Sequence, residues 1–180
     1  QKLETFLIKA DVRESKQNNK NLAVSFFEAC SETLRKVHFE FKYKSEESED
    51  AECFYEGLSK LKKLQSLSLF LNFGVFNSQT IIDRLCQIIS EIKSLEELDF
   101  RIRKNESQEK VVNLKFPPQL TKLSVGCNTS GAPFDGSKVI WPLSNLLHLK
   151  LEFTDFSSPK WSKILHDVTN KIKSLEVLVL

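Results

Sequence analysis

Three histidines and four cysteines are the side chains of this 180-residue chain best able to move a proton, bind a metal or attack an electrophile. A catalytic imidazole near neutral pH needs a nucleophile on one side and an orienting carboxylate on the other. His38 and His148 lie far apart in sequence, on segments that alternate as strands do. Neither has an acidic or cysteine neighbour at a fixed spacing. His166, followed by Asp167, falls on a segment with helical periodicity, where a solvated histidine is the ordinary case. The cysteines Cys30, Cys53, Cys86 and Cys127 make no CxxC pair, and none has a histidine at ligand spacing, so neither a zinc site nor a disulfide framework is expected. Cys30, Cys53 and Cys86 sit in apolar helical patterns, where a free cysteine acts as a small buried hydrophobe. GxSxG, HExxH, Walker and GxGxxG patterns are absent, and only five glycines are present to build a phosphate-cradling loop. The residues point to a chain that is not an enzyme and needs no cofactor, metal or small-molecule substrate.

Charge and composition narrow the remaining classes. Net charge is +2, from 26 basic and 24 acidic residues mixed along the chain, which disfavours a nucleic-acid-binding role. No apolar run approaches the roughly 20 residues of a membrane helix, and no signal segment opens the chain. With 41% apolar and 28% charged residues and no linker of low complexity, residues 1–180 read as a single folded domain. The cysteine usage favours a reducing, cytoplasmic compartment. Two sequons, at Asn105 and Asn128, would fit a secreted protein but lack the disulfides that go with it. The acidic run from Ser45 to Asp50 reads as a solvated loop before a helix, with its serines open to phosphorylation. Because the sequence starts at Gln1, has no methionine and ends on LEVLVL, it is expected to be a segment of a longer protein.

The elements that must position any site announce themselves at Leu64 to Asn72, LQSLSLFLN. Leu64, Leu67, Leu69 and Leu71 are spaced three, two and two apart, the pattern of a turn feeding a strand with one apolar face. The template recurs at Leu3-Phe6-Ile8-Ala10, Leu34-Val37-Phe39-Phe41, Leu95-Leu98-Phe100-Ile102, Leu120-Leu123-Val125-Cys127, Leu146-Leu149-Leu151-Phe153 and Leu175-Leu178-Leu180. Between these segments, periodicity predicts helices over Asn21 to Cys30, Ala51 to Leu61, Gln79 to Ile92 and Pro159 to Ile172. Thr80 with Asp83 reads as a capping box, and Gly57 weakens the second helix. Glu106 to Phe116 and Asn128 to Asn145, rich in proline and glycine, predict short or irregular returns, and Trp141 and Trp161 are expected under the outer segments.

This LxxLxLxxN pattern resembles the leucine-rich-repeat family, in the long strand-plus-helix form of ribonuclease-inhibitor-like proteins. The resemblance covers essentially the whole chain. It implies an α/β solenoid of about six to seven repeats, with a curved parallel sheet inside and helices or irregular segments outside. The family's asparagine, which hydrogen-bonds the turn between repeats, is present at Asn72 and Asn128 but replaced by Lys42, Arg103 and Thr154. The implied function is protein–protein interaction, as a scaffold, adaptor or substrate-recognition arc. The family also includes enzyme regulators, such as GTPase-activating or enzyme-inhibiting repeat proteins; a nucleic-acid-binding subunit is the third reading. The expected binding surface is the concave face, where residues between the inward leucines project. Its candidates are Phe70, Arg101, Asp99, His38, Glu40, Lys122, His148, Lys150 and Glu152, with Phe70 and Arg101 as the anchor pair because interface centres favour aromatics and arginine.

Overall fold

The computed structural model describes residues 3–12, 20–43, 49–73, 79–104, 114–128, 143–153, 165–166 and 168–180. Seven strands form one sheet: β1 Thr5–Val12, β2 Lys36–Tyr43, β3 Ser66–Phe73, β4 Glu97–Lys104, β5 Lys122–Asn128, β6 His148–Phe153 and β7 Val177–Val179. All neighbours are parallel, and the order across the sheet is the order along the chain. The register places Phe6, Val37, Leu67, Leu98, Leu123, Leu149 and Leu178 in one line, so the apolar positions aligned in sequence are aligned across the sheet.

Parallel sheets are ordinarily covered on both faces and built from continuous apolar runs. These strands instead alternate. Leu67, Leu69 and Leu71 are fully buried, while Ser66, Ser68 and Phe70 between them are half-exposed. One face therefore closes a core and the other meets solvent. Ile102, the last apolar position of its copy of the template, is buried as well.

Among the described residues three helices run between strands: α1 Lys20–Cys30, α2 Glu49–Ser59 and α3 Gln79–Glu91. Further helical residues lie at 165–166 and 168–171. In α3, Ile82, Leu85 and Ile89 are fully buried and Asp83, Arg84 and Gln87 exposed, the split that its period of three and four dictates. α3 begins at Gln79, so Thr80 falls within its first turn, and the side-chain pairing read there lies outside the described residues. The second helix begins at Glu49, two residues before its sequence boundary. The rest of the acidic run, the sequon at Asn105, the residues after Asn128 in the other, both tryptophans and the start of the last helix lie outside the described residues.

A file of aromatic rings ties the first half of the core together. It runs Phe6, Phe26, Phe27, Phe39, Phe54, Tyr55, passing from β1 through α1 and β2 to α2, with ring centroids between 4.5 and 6.0 Å apart. Gly57 makes the fit possible: a Cβ on it would lie 2.2 Å from Cδ2 of Phe27. Farther along, Phe116 and Leu114 fill the space beneath β4, with Phe116 edge-on to Phe100 at 5.6 Å.

The turns entering the strands repeat one arrangement. At each of six junctions two successive backbone N–H groups donate to a single carbonyl of the preceding turn: Arg35 and Lys36 to Glu4, Gln65 and Ser66 to Arg35, Glu96 and Glu97 to Gln65, Thr121 and Lys122 to Glu96, Leu147 and His148 to Thr121, Glu176 and Val177 to Leu147, all within 2.8–3.1 Å. Side chains reinforce it. Ser94 Oγ donates to the carbonyls of Lys62 and Leu64 at 2.8 and 2.7 Å, Ser174 Oγ to those of Ser144 and Leu146 at 2.8 Å, and Gln119 Nε2 to that of Ile92 at 3.0 Å. The ladder sought at the asparagine positions thus has a main-chain counterpart at the opposite end of the strands.

Candidate functional site

The solvent-facing side of the sheet is ordered in rows, because parallel pairing without slippage brings equivalent outward residues side by side about 4.8 Å apart. The first row is Lys36, Ser66, Glu97, Lys122, His148 and Val177. The second is Leu7, His38, Ser68, Asp99, Ser124, Lys150 and Val179; the third holds Glu40, Phe70, Arg101, Gly126 and Glu152. All nine residues singled out in the sequence stand on this one face, eight of them half-buried and Lys122 exposed.

Six of the charged residues on the face, Glu97, Asp99, Arg101, Lys122, Lys150 and Glu152, are paired. Lys122 Nζ reaches Glu97 Oε1 at 2.6 Å; this bond, ahead of the other contributions, holds the Glu97 carboxyl below the usual carboxylate range, with Ser66 and Lys36 assisting. Arg101 Nε donates to both oxygens of Asp99, at 2.9 and 3.2 Å, and its Nη1 lies 3.1 Å from Glu152 Oε2. The Asp99 bond raises the guanidinium above its ordinary value despite partial burial. Glu152 also pairs with Lys150. Glu152 belongs to β6, two strands from Arg101, and a span of about 10 Å across an intervening strand requires that nothing project between them. Gly126 is the residue in between. A Cβ there would meet Arg101 Cγ at 3.3 Å and Glu152 Cβ at 3.6 Å.

Phe70 and Arg101 are register neighbours on β3 and β4. The guanidinium, however, is engaged by Asp99 and Glu152, so of the two residues Phe70 is the one that offers unpaired contact surface. His38 Nδ1 lies 2.8 Å from Ser68 Oγ. Along that row the order is histidine, serine, aspartate, which puts the serine and not the imidazole in the middle; a nucleophilic triad needs the reverse. Asp99 is in any case held by Arg101. No group of three or more His, Cys, Asp or Glu able to hold a metal occurs among the described residues. Cys86 is buried, which pushes its thiol up to about 11 and leaves it unreactive at neutral pH.

A shallow trough of about 270 Å³ runs along the first two rows from β3 to β7. Ser66, Ser68 and Ser124 form its low floor; Glu97, Asp99, Lys122, His148 and Lys150 rise around it, and Val177 and Val179 close the far end. Ser124 Oγ is buried and has no hydrogen-bond partner. Sequence reading passed over Ser124 and Gly126 because small residues between leucines look like spacers. A glycine inside a strand pattern is nonetheless a signal of close approach by a neighbour.

Comparison with known proteins gives no lead: no family model matches the chain, and neither a curated protein nor a solved structure does. No helix among the described residues is long and apolar enough to cross a membrane.

Proposed function

We propose that this chain is a leucine-rich-repeat solenoid whose open sheet face binds another protein, so that it serves as a scaffold, adaptor or recognition arc without chemistry of its own. The observation that carries the reading is the register: seven segments that share one sequence template pair in chain order without a slip, and their outward residues form rows on a single face. Such a surface offers many shallow, side-by-side contacts, which suits a partner's surface better than a small substrate. The thiols of Cys30 and Cys86 are free, in keeping with a reducing, cytoplasmic setting.

Phe70 is the residue to test, being a partly buried aromatic on the open face. Truncating an interface anchor typically costs about 2 kcal/mol or more of binding, on the order of thirtyfold in affinity, whereas an outward side chain adds little to the fold. A photo-cross-linking residue at position 70 should trap a partner polypeptide. Phe70→Ala should then weaken capture of that partner at least tenfold, by about 1.4 kcal/mol or more, with the unfolding midpoint nearly unchanged. Undiminished capture would remove the open face from consideration.

A further inference from the structure

The trough is bounded by donors that come from two adjoining strands. Lys122 and Ser124 on β5 are register partners of His148 and Lys150 on β6, so the Cα atoms of two lysines, a histidine and a serine mark the corners of one quadrilateral roughly 5 by 7 Å. The Ser124 hydroxyl in its floor is unmatched. Both lysines are drawn outward, Lys122 toward Glu97 on β4 and Lys150 toward Glu152 in the next row, which opens the space between them.

Neither lysine is indispensable to its present partner. Glu152 keeps Arg101 at 3.1 Å when Lys150 swings away. Glu97 keeps the Ser66 hydrogen bond and the field of Lys36 when Lys122 does. Asp99, the remaining carboxylate along the trough, is already held through both oxygens by Arg101. The two ammonium groups can thus turn inward to an anion without leaving a bare carboxylate behind, so the usual cost of breaking an ion pair is largely avoided. Both lysine side chains are about half-exposed, so the turn needs no repacking.

We propose that the trough receives a carboxylate side chain of an extended acidic segment of the partner protein, gripped by Lys122, Lys150 and His148 over the Ser124 hydroxyl. This rests on the reading of the open face as a protein-binding surface and names the chemistry that the face selects.

The test uses a fluorescein-labelled, end-blocked octapeptide of alternating glutamate and threonine, titrated against the chain and followed by anisotropy. A lysine-threonine peptide of the same length is the charge-reversed probe. Saturable binding of the acidic peptide alone is expected, weakening with added salt. Lys122→Ala and Lys150→Ala should each reduce affinity by about three- to fivefold, the scale of a partly exposed ion pair. Lys93→Ala, in a turn away from the face, should leave it unchanged. Thermal unfolding of each variant verifies that the fold is retained. Equal binding of the basic peptide, no saturable binding, or indifference to both lysine variants would overturn the proposal. If the peptide fails while Phe70→Ala still abolishes partner capture, the open face stands and only the acidic segment falls; if neither responds, both readings fall.

Discussion

Single side chains on the open face are set by pairing, and pairing makes them sensitive to pH. Glu97 is held below the usual carboxylate range chiefly by its bond from Lys122. A carboxyl depressed in the folded state stabilises the fold above the ordinary carboxylate pKa and loses that contribution as pH falls through the depressed value. Glu97→Gln should therefore lower stability at pH 7 by less than about 1 kcal/mol, since the pair is largely solvent-screened. Denaturant unfolding of the two proteins should converge as pH drops below the carboxylate range; a constant gap would show that packing, not charge, accounts for the difference. The positions of these residues were legible in the sequence, because alternation alone decides which side chains face outward. Their partners were not. The Arg101 to Glu152 bridge joins residues 51 positions apart across an intervening strand, and nothing local signals it.

At the scale of the element, periodicity located α1, α2 and α3 to within a residue or two at most ends, and missed what makes them fit. Gly57 looked like a weakness in α2, since glycine costs about 1 kcal/mol against alanine inside a helix. The structure reverses that valuation, because the ring of Phe27 occupies the place of the absent Cβ. Gly57→Ala should destabilise the chain by about 1–3 kcal/mol in chemical unfolding, overpacking outweighing the gain in helix propensity. A more stable variant would mean that α1 and α2 separate easily. The aromatic file was equally hidden, its members being scattered over four elements and brought together only by the stacking of helix on strand. The serine rungs did leave a trace. Ser94 and Ser174 stand in the same pentapeptide, IKSLE, and play the same part in their turns.

For the molecule as a whole, the leucine template predicted the strand order and register across all seven strands, because an apolar position must face the core and a slip of one residue would expose it. The lengths of the returning segments had no such constraint: residues 105–121 join β4 to β5, whereas residues 74–96 join β3 to β4, with no change in register. Leu67 lies near the middle of this shared line and is 1% exposed. Leu67→Ala should cost about 2–5 kcal/mol through lost burial and the cavity left behind, measured by calorimetry or denaturant titration. A midpoint like that of the parent protein would contradict the inward register.

The bridge over Gly126 has one more consequence, for how this surface can change over evolutionary time. Each strand contributes its own column of outward residues, so most substitutions should alter the face one column at a time. Arg101 and Glu152 break that independence, coupling the columns of β4 and β6 while the column between them stays silent at one position. Gly126 is thus a gatekeeper of epistasis: a side chain acquired there would redistribute which strands must vary together, and the open face would become free to diversify along a different axis.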